Sequence, residues 1–312
     1  MKLGLDISGG DFAPRANVLG AILALDQLPD DVELVLIGRQ DDIASILEEK
    51  GVVSNRITVV NAPDVITMED HPTRAIPQKP NSSISVGFEL LAQKKIDSFA
   101  STGNTGAMLV GSIYKINSIP GVIRPCITSV LPKVGGGNSI ILDVGSNADC
   151  KPDVLYQFAS LGSLYAQNVI NIKNPKVGLL NIGEEEGKGN LLTQSAYKLM
   201  KGSDDFNFIG NIEGGDLFNG KADVVVCDGF TGNIVLKQAE GMYNIAKQIG
   251  IEYTYFDRFN YENYGGTPIL GVNSDVIIGH GVSNDIAVKN MMCLAYDVAK
   301  SELTKKIKEA FK

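Results

Sequence analysis

Strand-length apolar runs that end in glycine, each followed by a stretch of helical length, recur along the chain and restrict it to a sheet of mostly parallel strands. Residues 3–7 run into Gly9-Gly10, and Pro14 then suits the first turn of a helix reaching residue 28. Residues 32–37 and 57–60 read as strands on either side of a helix over 41–49, which Gly51 closes. The alternation continues with a helix over 83–95, a strand over 98–101 and a helix over 105–117. Strands over 127–131 and 139–144 flank Gly135-Gly136-Gly137, which reads as a flexible turn. Further strands are expected at 177–182, 207–212 and 224–226, and helices at 152–169, 191–200, 232–248 and 285–311. Parallel neighbours need a crossover, most simply a helix. The order therefore predicts a three-layer α/β/α fold whose mostly parallel sheet is covered on both faces. No linker stands out over residues 1–312, which read as a single α/β unit. Two lobes sharing one continuous sheet fit the pattern as well as two separate domains do. Residues 62–82 break the pattern: they lack periodicity, contain four prolines and are expected to form a long irregular loop, a kind that is often functional.

Charge and cysteine usage narrow the chemistry. A net charge of -8 argues against non-specific nucleic-acid binding and means that an acidic protein partner would need a local basic patch. Cys126, Cys150, Cys227 and Cys293 are far apart and form no CxxC, so they read as buried thiols of a reducing compartment, and no metal site is expected. No signal peptide is recognised, and no apolar run approaches the ~20 residues of a membrane helix. A cytosolic protein, at most peripheral to a membrane, is the expectation.

The glycines fall mainly just after the expected strands, where open α/β sheets bind their ligands. Gly9, Gly10 and Asp11 form a loop that exposes backbone N–H groups before a helix, either an anion nest or simply a tight turn. In Ser101-Thr102-Gly103-Asn104-Thr105-Gly106, hydroxyls, an amide and glycines meet at a helix start. Phosphate binding and helix capping would use the same donors there. The third loop, residues 143–152, carries Asn147 and Lys151, the latter a phosphate partner or an ordinary surface lysine. The fourth, residues 181–190, holds Lys188 between two glycines in otherwise acidic surroundings. It shares the logic of a P-loop but lacks the GxxxxGK[ST] string, so nucleotide hydrolysis is rejected. Lys188 can act there as a point charge on phosphate or an oxyanion. The fifth holds Asp228, Gly232 and Asn233, with Asn233 placed to donate its amide to a developing oxyanion or merely to face water. Neither GxGxxG with a downstream acid nor GxSxG is present. The two histidines, His71 and His280, fit satisfied loop residues about as well as catalytic ones.

Taken in order, residues 9–14, 101–107, 142–152, 179–185 and 222–236, together with 265–271 and Gly279-His280-Gly281, resemble the bacterial phosphate:acyl-carrier-protein acyltransferase family, PlsX, from the first strand to the last helix. The resemblance implies a fold similar to isocitrate and isopropylmalate dehydrogenases and phosphotransacetylases. It also implies a reaction in which inorganic phosphate attacks the thioester of long-chain acyl-carrier protein to give acyl phosphate for phospholipid synthesis. A homodimer with peripheral membrane contact follows from the same resemblance, and no cofactor is implied. Lys188 and Asn233 match the family's catalytic lysine and asparagine. The residues agree with that chemistry, because phosphate is already a nucleophilic anion and needs positioning and oxyanion stabilisation rather than an activated side chain. Residues 103–106 would then cradle the phosphate.

Two features depart from the family pattern. The basic run usual before the double serine is here Gln78-Lys79-Pro80-Asn81-Ser82-Ser83, with Lys79 its only cation. The longer lysine-rich amphipathic insertion of many relatives is reduced to the aromatic residues 251–259, expected to touch lipid or, by preference, to cover a partner subunit. A decarboxylating dehydrogenase would need acidic metal ligands and a nucleotide fingerprint, and neither is evident. A non-catalytic phosphometabolite-binding regulator is the alternative outside enzymes. Lys300, Lys305, Lys306 and Lys308 offer positive charge to an acidic carrier, although a solvated helix face is the commoner role of such a run.

Overall fold

The glycine-terminated apolar runs become strands because their side chains find cover on both faces: four of the five residues of the first strand are buried, and all three of Val224–Val226. The structure, a computed structural model, describes residues 1–251 and 253–312; Glu252, in the short aromatic segment, lies outside the described residues. In chain order the elements are β1 (Lys2–Asp6), α1 (Arg15–Leu25), β2 (Glu33–Gly38), α2 (Gln40–Glu49), β3 (Ile57–Asn61), α3 (Pro72–Gln78), α4 (Ser83–Ala92), β4 (Ser98–Ser101) and α5 (Thr105–Gly111). Then come β5 (Cys126–Pro132), β6 (Asn138–Leu142), α6 (Pro152–Asn168), β7 (Lys176–Leu180), α7 (Leu191–Met200), β8 (Asn207–Ile212), β9 (Val224–Val226), α8 (Gly229–Gln248) and α9 (Thr254–Asp257). The chain finishes with β10 (Gly266–Leu270), β11 (Asp275–Gly279), α10 (Asp285–Lys300) and α11 (Leu303–Ala310).

Two compact units result, one of Met1–Ser118 with Tyr261–Thr304, the other of Ile119–Asn260 with Lys305–Lys312. The strands of the first unit run in the order β3-β2-β1-β4-β11-β10. All its neighbours are parallel except β10, which runs antiparallel to β11. Helices α1 and α10 pack tightly, since a Cβ on Gly20 would lie 2.5 Å from Val288. The core of this unit includes Phe88 of α4 edge-on to Phe99 of β4, with ring centroids 5.2 Å apart. The strands of the second unit run β5-β6-β9-β7-β8, parallel except for the β5–β6 hairpin. Helix α6 lies close on that sheet at Gly162, where a Cβ would come within 2.7 Å of Val224.

Several expectations change. Residues 62–82 contain a helix, α3, started by Pro72 in the first turn, where its missing N–H is harmless. The expected helix over 105–117 is α-helical to Gly111 and then π-helical over Ser112–Ile116. The terminal helix is broken, with Glu302 at φ 53° separating α10 from α11. Strands β10 and β11 went unread because Pro268 and flanking glycines interrupt the first run and the second is only five residues long. The aromatic segment folds back on its own unit. Tyr255 donates to the carbonyl of Pro132 (3.0 Å), Arg258 to that of Lys133 (2.7 Å), and Phe259 meets Phe218.

Alanine in a helix is normally favoured over glycine by about 1 kcal/mol, but a Cβ on Gly87 of α4 would sit 2.2 Å from the Phe99 ring, which has no exposed surface to move into. Overpacking of this kind costs roughly 1–3 kcal/mol. Gly87→Ala is therefore expected to lower stability in urea titration, and its penalty should shrink by at least half in a Phe99→Leu background. Equal penalties in both backgrounds would refute the packing argument.

Candidate functional site

In the first unit the first two glycine loops interlock around Asp6, which ends β1 and has no exposed surface. One carboxylate oxygen accepts from the N–H groups of Ser8 (2.9 Å) and Gly9 (3.1 Å), the other from Ser101 Oγ (2.6 Å). Ser83, the second of the double serine, also bonds this carboxyl, while Ser82 caps α4 by accepting from Ser85 N–H. Burial pushes the carboxyl up from its ordinary value of 3.8, and the hydrogen bonds oppose that shift. Asn17 donates its amide to the carbonyls of Asp6, Ile7 and Gly9. Thr102 Oγ1 donates to the Gly9 carbonyl (2.9 Å), and Gly103 N–H to Ser101 Oγ (2.9 Å). The loops touch so closely that a Cβ on Gly9 would lie 2.7 Å from Gly103 Cα.

The expected anion nest at Gly9 is thus filled by the chain's own carboxylate. Gly9, Ser101 and Gly103 direct their donors inward to hold the loops, and Asp11 donates its N–H to the Gly281 carbonyl (2.8 Å). Asn104 accepts from Ala107 N–H and donates to the carbonyls of Thr67, Met68 and Asp70, pinning the preceding loop to the start of α5. Among the described residues the N–H groups of Gly10, Thr105 and Gly106 meet no acceptor and remain for a ligand. Lys79 is engaged elsewhere, with Asp70 at 2.5 Å and the Val65 carbonyl at 2.9 Å.

The second unit repeats the device with Asp143, just past β6 and also without exposed surface. It accepts from Ile127 N–H (2.9 Å), Ser146 Oγ (2.6 Å), and both the N–H (2.6 Å) and the side-chain amide (3.1 Å) of Asn147. Asn147 is therefore an internal brace, buried and also donating to the Pro125 carbonyl. Helix α8 starts directly on this loop: a Cβ on Gly232 would fall 1.9 Å from the Asp143 carbonyl oxygen, so only glycine fits. Asp228 caps α8, accepting from the N–H (2.8 Å) and hydroxyl (2.9 Å) of Thr231. Asn233, one turn on, is exposed beside Gly145 and its amide makes no hydrogen bond among the described residues. Lys151 stands exposed ahead of α6.

Lys188 is half exposed, with its ammonium 3.8 Å from Glu185. Its backbone is fixed by Asn181, which donates to the Lys188 carbonyl (3.1 Å). The acidic neighbours are neutralised, Glu184 by Lys221 and Glu186 by Lys201. The fourth and fifth loops share a 280 Å³ cavity lined by Asn181, Asn190, Asp228 and Thr231 over Leu155 and Leu180. Sequence reasoning missed Asp6, Asn17, Asp143 and Asn181 as organisers; the available signal was a carboxylate or amide placed at the strand tip just before each glycine.

The thiols beside these loops are held in the protonated form. Burial, then the carboxylates of Asp143 and Asp228, push Cys150 up to about 11, and burial holds Cys126 and Cys227 well above the ordinary range. His71 pairs with Thr73 Oγ1 (3.1 Å) and His280 stacks on Tyr261. Among the described residues no group of three or more His, Cys, Asp or Glu is arranged to hold a metal ion.

Glycine loops at the tips of parallel strands, braced from within, leave amide donors outward in the first unit and a loosely paired cation outward in the second, features suited to an anionic ligand. Residues 1–306 match the family described as "Fatty acid synthesis protein". A relative in Dictyoglomus thermophilum named "Phosphate acyltransferase" is 42% identical over 328 residues, covering 99% of this chain and 97% of its own. The solved phosphotransacetylase from Streptococcus pyogenes superposes with a TM-score of 0.69 at 17% identity, covering 96% of this chain and 94% of its own. The 4-hydroxythreonine-4-phosphate dehydrogenase from Klebsiella pneumoniae does so at 0.57 and 12%, covering 95% and 97%. Both likenesses speak to the fold alone, which is the α/β class expected from the strand and helix order. The chain belongs to the fatty acid synthesis protein family and is an acyltransferase.

Because the Asp6 carboxyl is raised in the folded state, ionising it costs more there than in the unfolded chain. Its contribution therefore falls as pH rises from the unfolded value of 3.8 through the raised folded one. Wild type is expected to lose stability relative to Asp6→Asn in urea titrations as the pH is raised above 3.8. A constant difference above that pH would contradict the assignment.

Proposed function

We propose that the chain transfers a fatty acyl group from acyl-carrier protein to inorganic phosphate, giving acyl phosphate for phospholipid synthesis. The kinship to phosphate acyltransferases supports phosphate as the acceptor. The observation that carries the chemistry is that the two loops lining one cavity bear, next to its lining residues, a loosely held ammonium, Lys188, and an amide without a hydrogen bond among the described residues, Asn233.

In this mechanism a phosphate oxygen forms a bond to the thioester carbonyl carbon while the carbonyl π electrons move onto oxygen. The tetrahedral oxyanion then collapses and expels the carrier's thiolate, which takes a proton from solvent. Asn233 donates its side-chain N–H to the oxyanion, and Lys188 offsets the charge that phosphate brings. On the first unit Thr105, Gly106 and Gly10 leave backbone N–H groups for an anion, and on the second Lys151 adds charge. Gly9, Ser101, Gly103, Asn104, Asn147, Asp228 and Gly232 hold those loops in shape.

Self-association fits the exposed apolar side chains Ile234, Met242 and Ile245 of α8 and Ile249 just past its end. We place a homodimer contact there. Contact with a membrane, where it occurs, is peripheral in this reading. No helix among the described residues is long and apolar enough to cross one. The C-terminal lysines contribute little to carrier binding in this scheme, since Lys306 already donates to Asn168 (2.6 Å) and Lys300 lies over Tyr296.

Lys188→Ala and Asn233→Ala should each leave the melting temperature nearly unchanged. They should reduce phosphate-dependent release of free carrier protein from its acyl thioester by about 10²–10³-fold, the usual cost of losing one such donor. Near-normal turnover in either variant removes that residue from the mechanism. Ile245→Glu should halve the mass seen by light scattering, and an unchanged mass would exclude α8 as the contact.

A further inference from the structure

We propose that the groove between α3, α4 and the π-helical continuation of α5 holds the hydrocarbon tail of the acyl substrate. This rests on the acyl-transfer reading above and adds where the chain lies. The groove has a volume of 910 Å³, within the range of small-molecule sites. Its walls are Ile76 and Pro77 from α3, Val86 and Leu90 from α4, and Val110 and Tyr114 from α5 and its continuation.

Hydrocarbon is the occupant that the polar atoms of the groove select. Thr73 pairs with His71, Ser85 donates to the Lys79 carbonyl, Gln93 donates to Glu89, and Glu89 lies 3.9 Å from Lys115. Most of the lining's polar groups are thus engaged with the protein, and Glu89 offsets Lys115, while Lys95 is one further cation, exposed to solvent. A peptide laid here would bring N–H and carbonyl groups that find few partners, a costly arrangement, whereas an alkyl chain brings none. Pro77 and Pro80 add surface without an N–H donor.

Position links the groove to the open amides of the same unit. Helix α5 begins at Thr105, whose N–H is open, and Val110 follows five residues later, about 7.5 Å of helix rise. On the other side Pro72 abuts Gly106, where a Cβ would lie 2.4 Å from the proline ring, and Thr73 next to it already lines the groove. The groove therefore starts beside the open amides and leads away from them. The π-helix over Ser112–Ile116 supplies the far wall, with Tyr114 74% exposed along it. Such bulges occur often at functional sites.

The full-length protein tests this with two variants, Val86→Trp to fill the groove and Tyr114→Ala to remove a wall; the latter side chain is too exposed for its loss to unfold the protein. The readouts are kcat/KM with hexadecanoyl and with hexanoyl thioesters of acyl-carrier protein in phosphate buffer, and direct titration with a fluorescent polyene fatty acid. The ratio of hexadecanoyl to hexanoyl kcat/KM should fall at least tenfold in Val86→Trp and measurably in Tyr114→Ala, with fatty-acid affinity falling in step. An unchanged ratio in folded variants overturns the proposal, as does a change of oligomeric state in Val86→Trp, which would make the groove a contact between copies. Should wild type show no phosphate-dependent turnover, the reaction assignment fails. The fatty-acid titration still decides the groove in that case, since wild-type binding lost in the variants supports it and no wild-type binding refutes it.

Discussion

A carboxylate with no access to water sits at the tip of a strand in each unit, and the functional loops take their shape from its demand for donors. Burying an ionised carboxyl without compensation costs several kcal/mol or more. No salt bridge reaches Asp6 or Asp143 among the described residues, so the compensation is hydrogen bonding. Asp6 draws in Ser8, Gly9, Ser83 and Ser101, and Asp143 draws in Ile127, Ser146 and Asn147. Loops curled that tightly bring backbone against backbone, which is why glycine stands at Gly9 and Gly232, where any Cβ would collide. The carboxylates make no contact with a ligand in this scheme. They act by deciding which N–H groups point inward and which are left over.

What is left over is where the chemistry can happen. In the first unit those donors are the amides of Gly10, Thr105 and Gly106; in the second they are the Asn233 side chain and the Lys188 ammonium. The surroundings of Lys188 look hostile in sequence, with three consecutive glutamates. In the fold each has a lysine, and the Lys188–Glu185 pair at 3.8 Å is the longest of the set, against 2.7 Å for Lys201–Glu186. Exposed pairs of that length are worth little, so an incoming anion can compete for Lys188 while the other two lysines keep the loop's net charge low.

The sequence made the strand and loop alternation legible because burial on both faces and the need for a crossover leave a plain pattern of apolar runs and glycines. It failed where pattern carries less. β11 is short and β10 contains a proline, so neither stood out, although β11 pairs with both β4 and β10. Helix α3 was hidden by its prolines, one of which serves as a helix start. The site was legible as loops but not as roles. Ser101, Gly103 and Asn147 have the composition of phosphate ligands, yet their donors turn inward, and direction is not encoded in residue type. Lys79 likewise kept the family's charge in sequence while its ammonium is committed to Asp70.

The two halves of the acyl substrate pose opposite problems, an anionic end and a tail that water rejects, and in the proposed reading α5 addresses both along one helix. Its first turn carries open amides, and its far end, widened by a π-turn, lines an apolar groove. The wall opposite is set by how closely α4 and α5 approach, and that spacing is fixed on their buried sides. Gly87 lets the Phe99 ring come under α4, and Gly111 lets the Phe88 ring of α4 come against α5, where a Cβ would be 2.1 Å away. Larger residues at either glycine would push the helices apart and change the groove between Val86 and Val110 on the outer side. Core packing and substrate fit are then one constraint, so changes to the core around Phe88 and Phe99 should alter chain-length preference before they abolish folding.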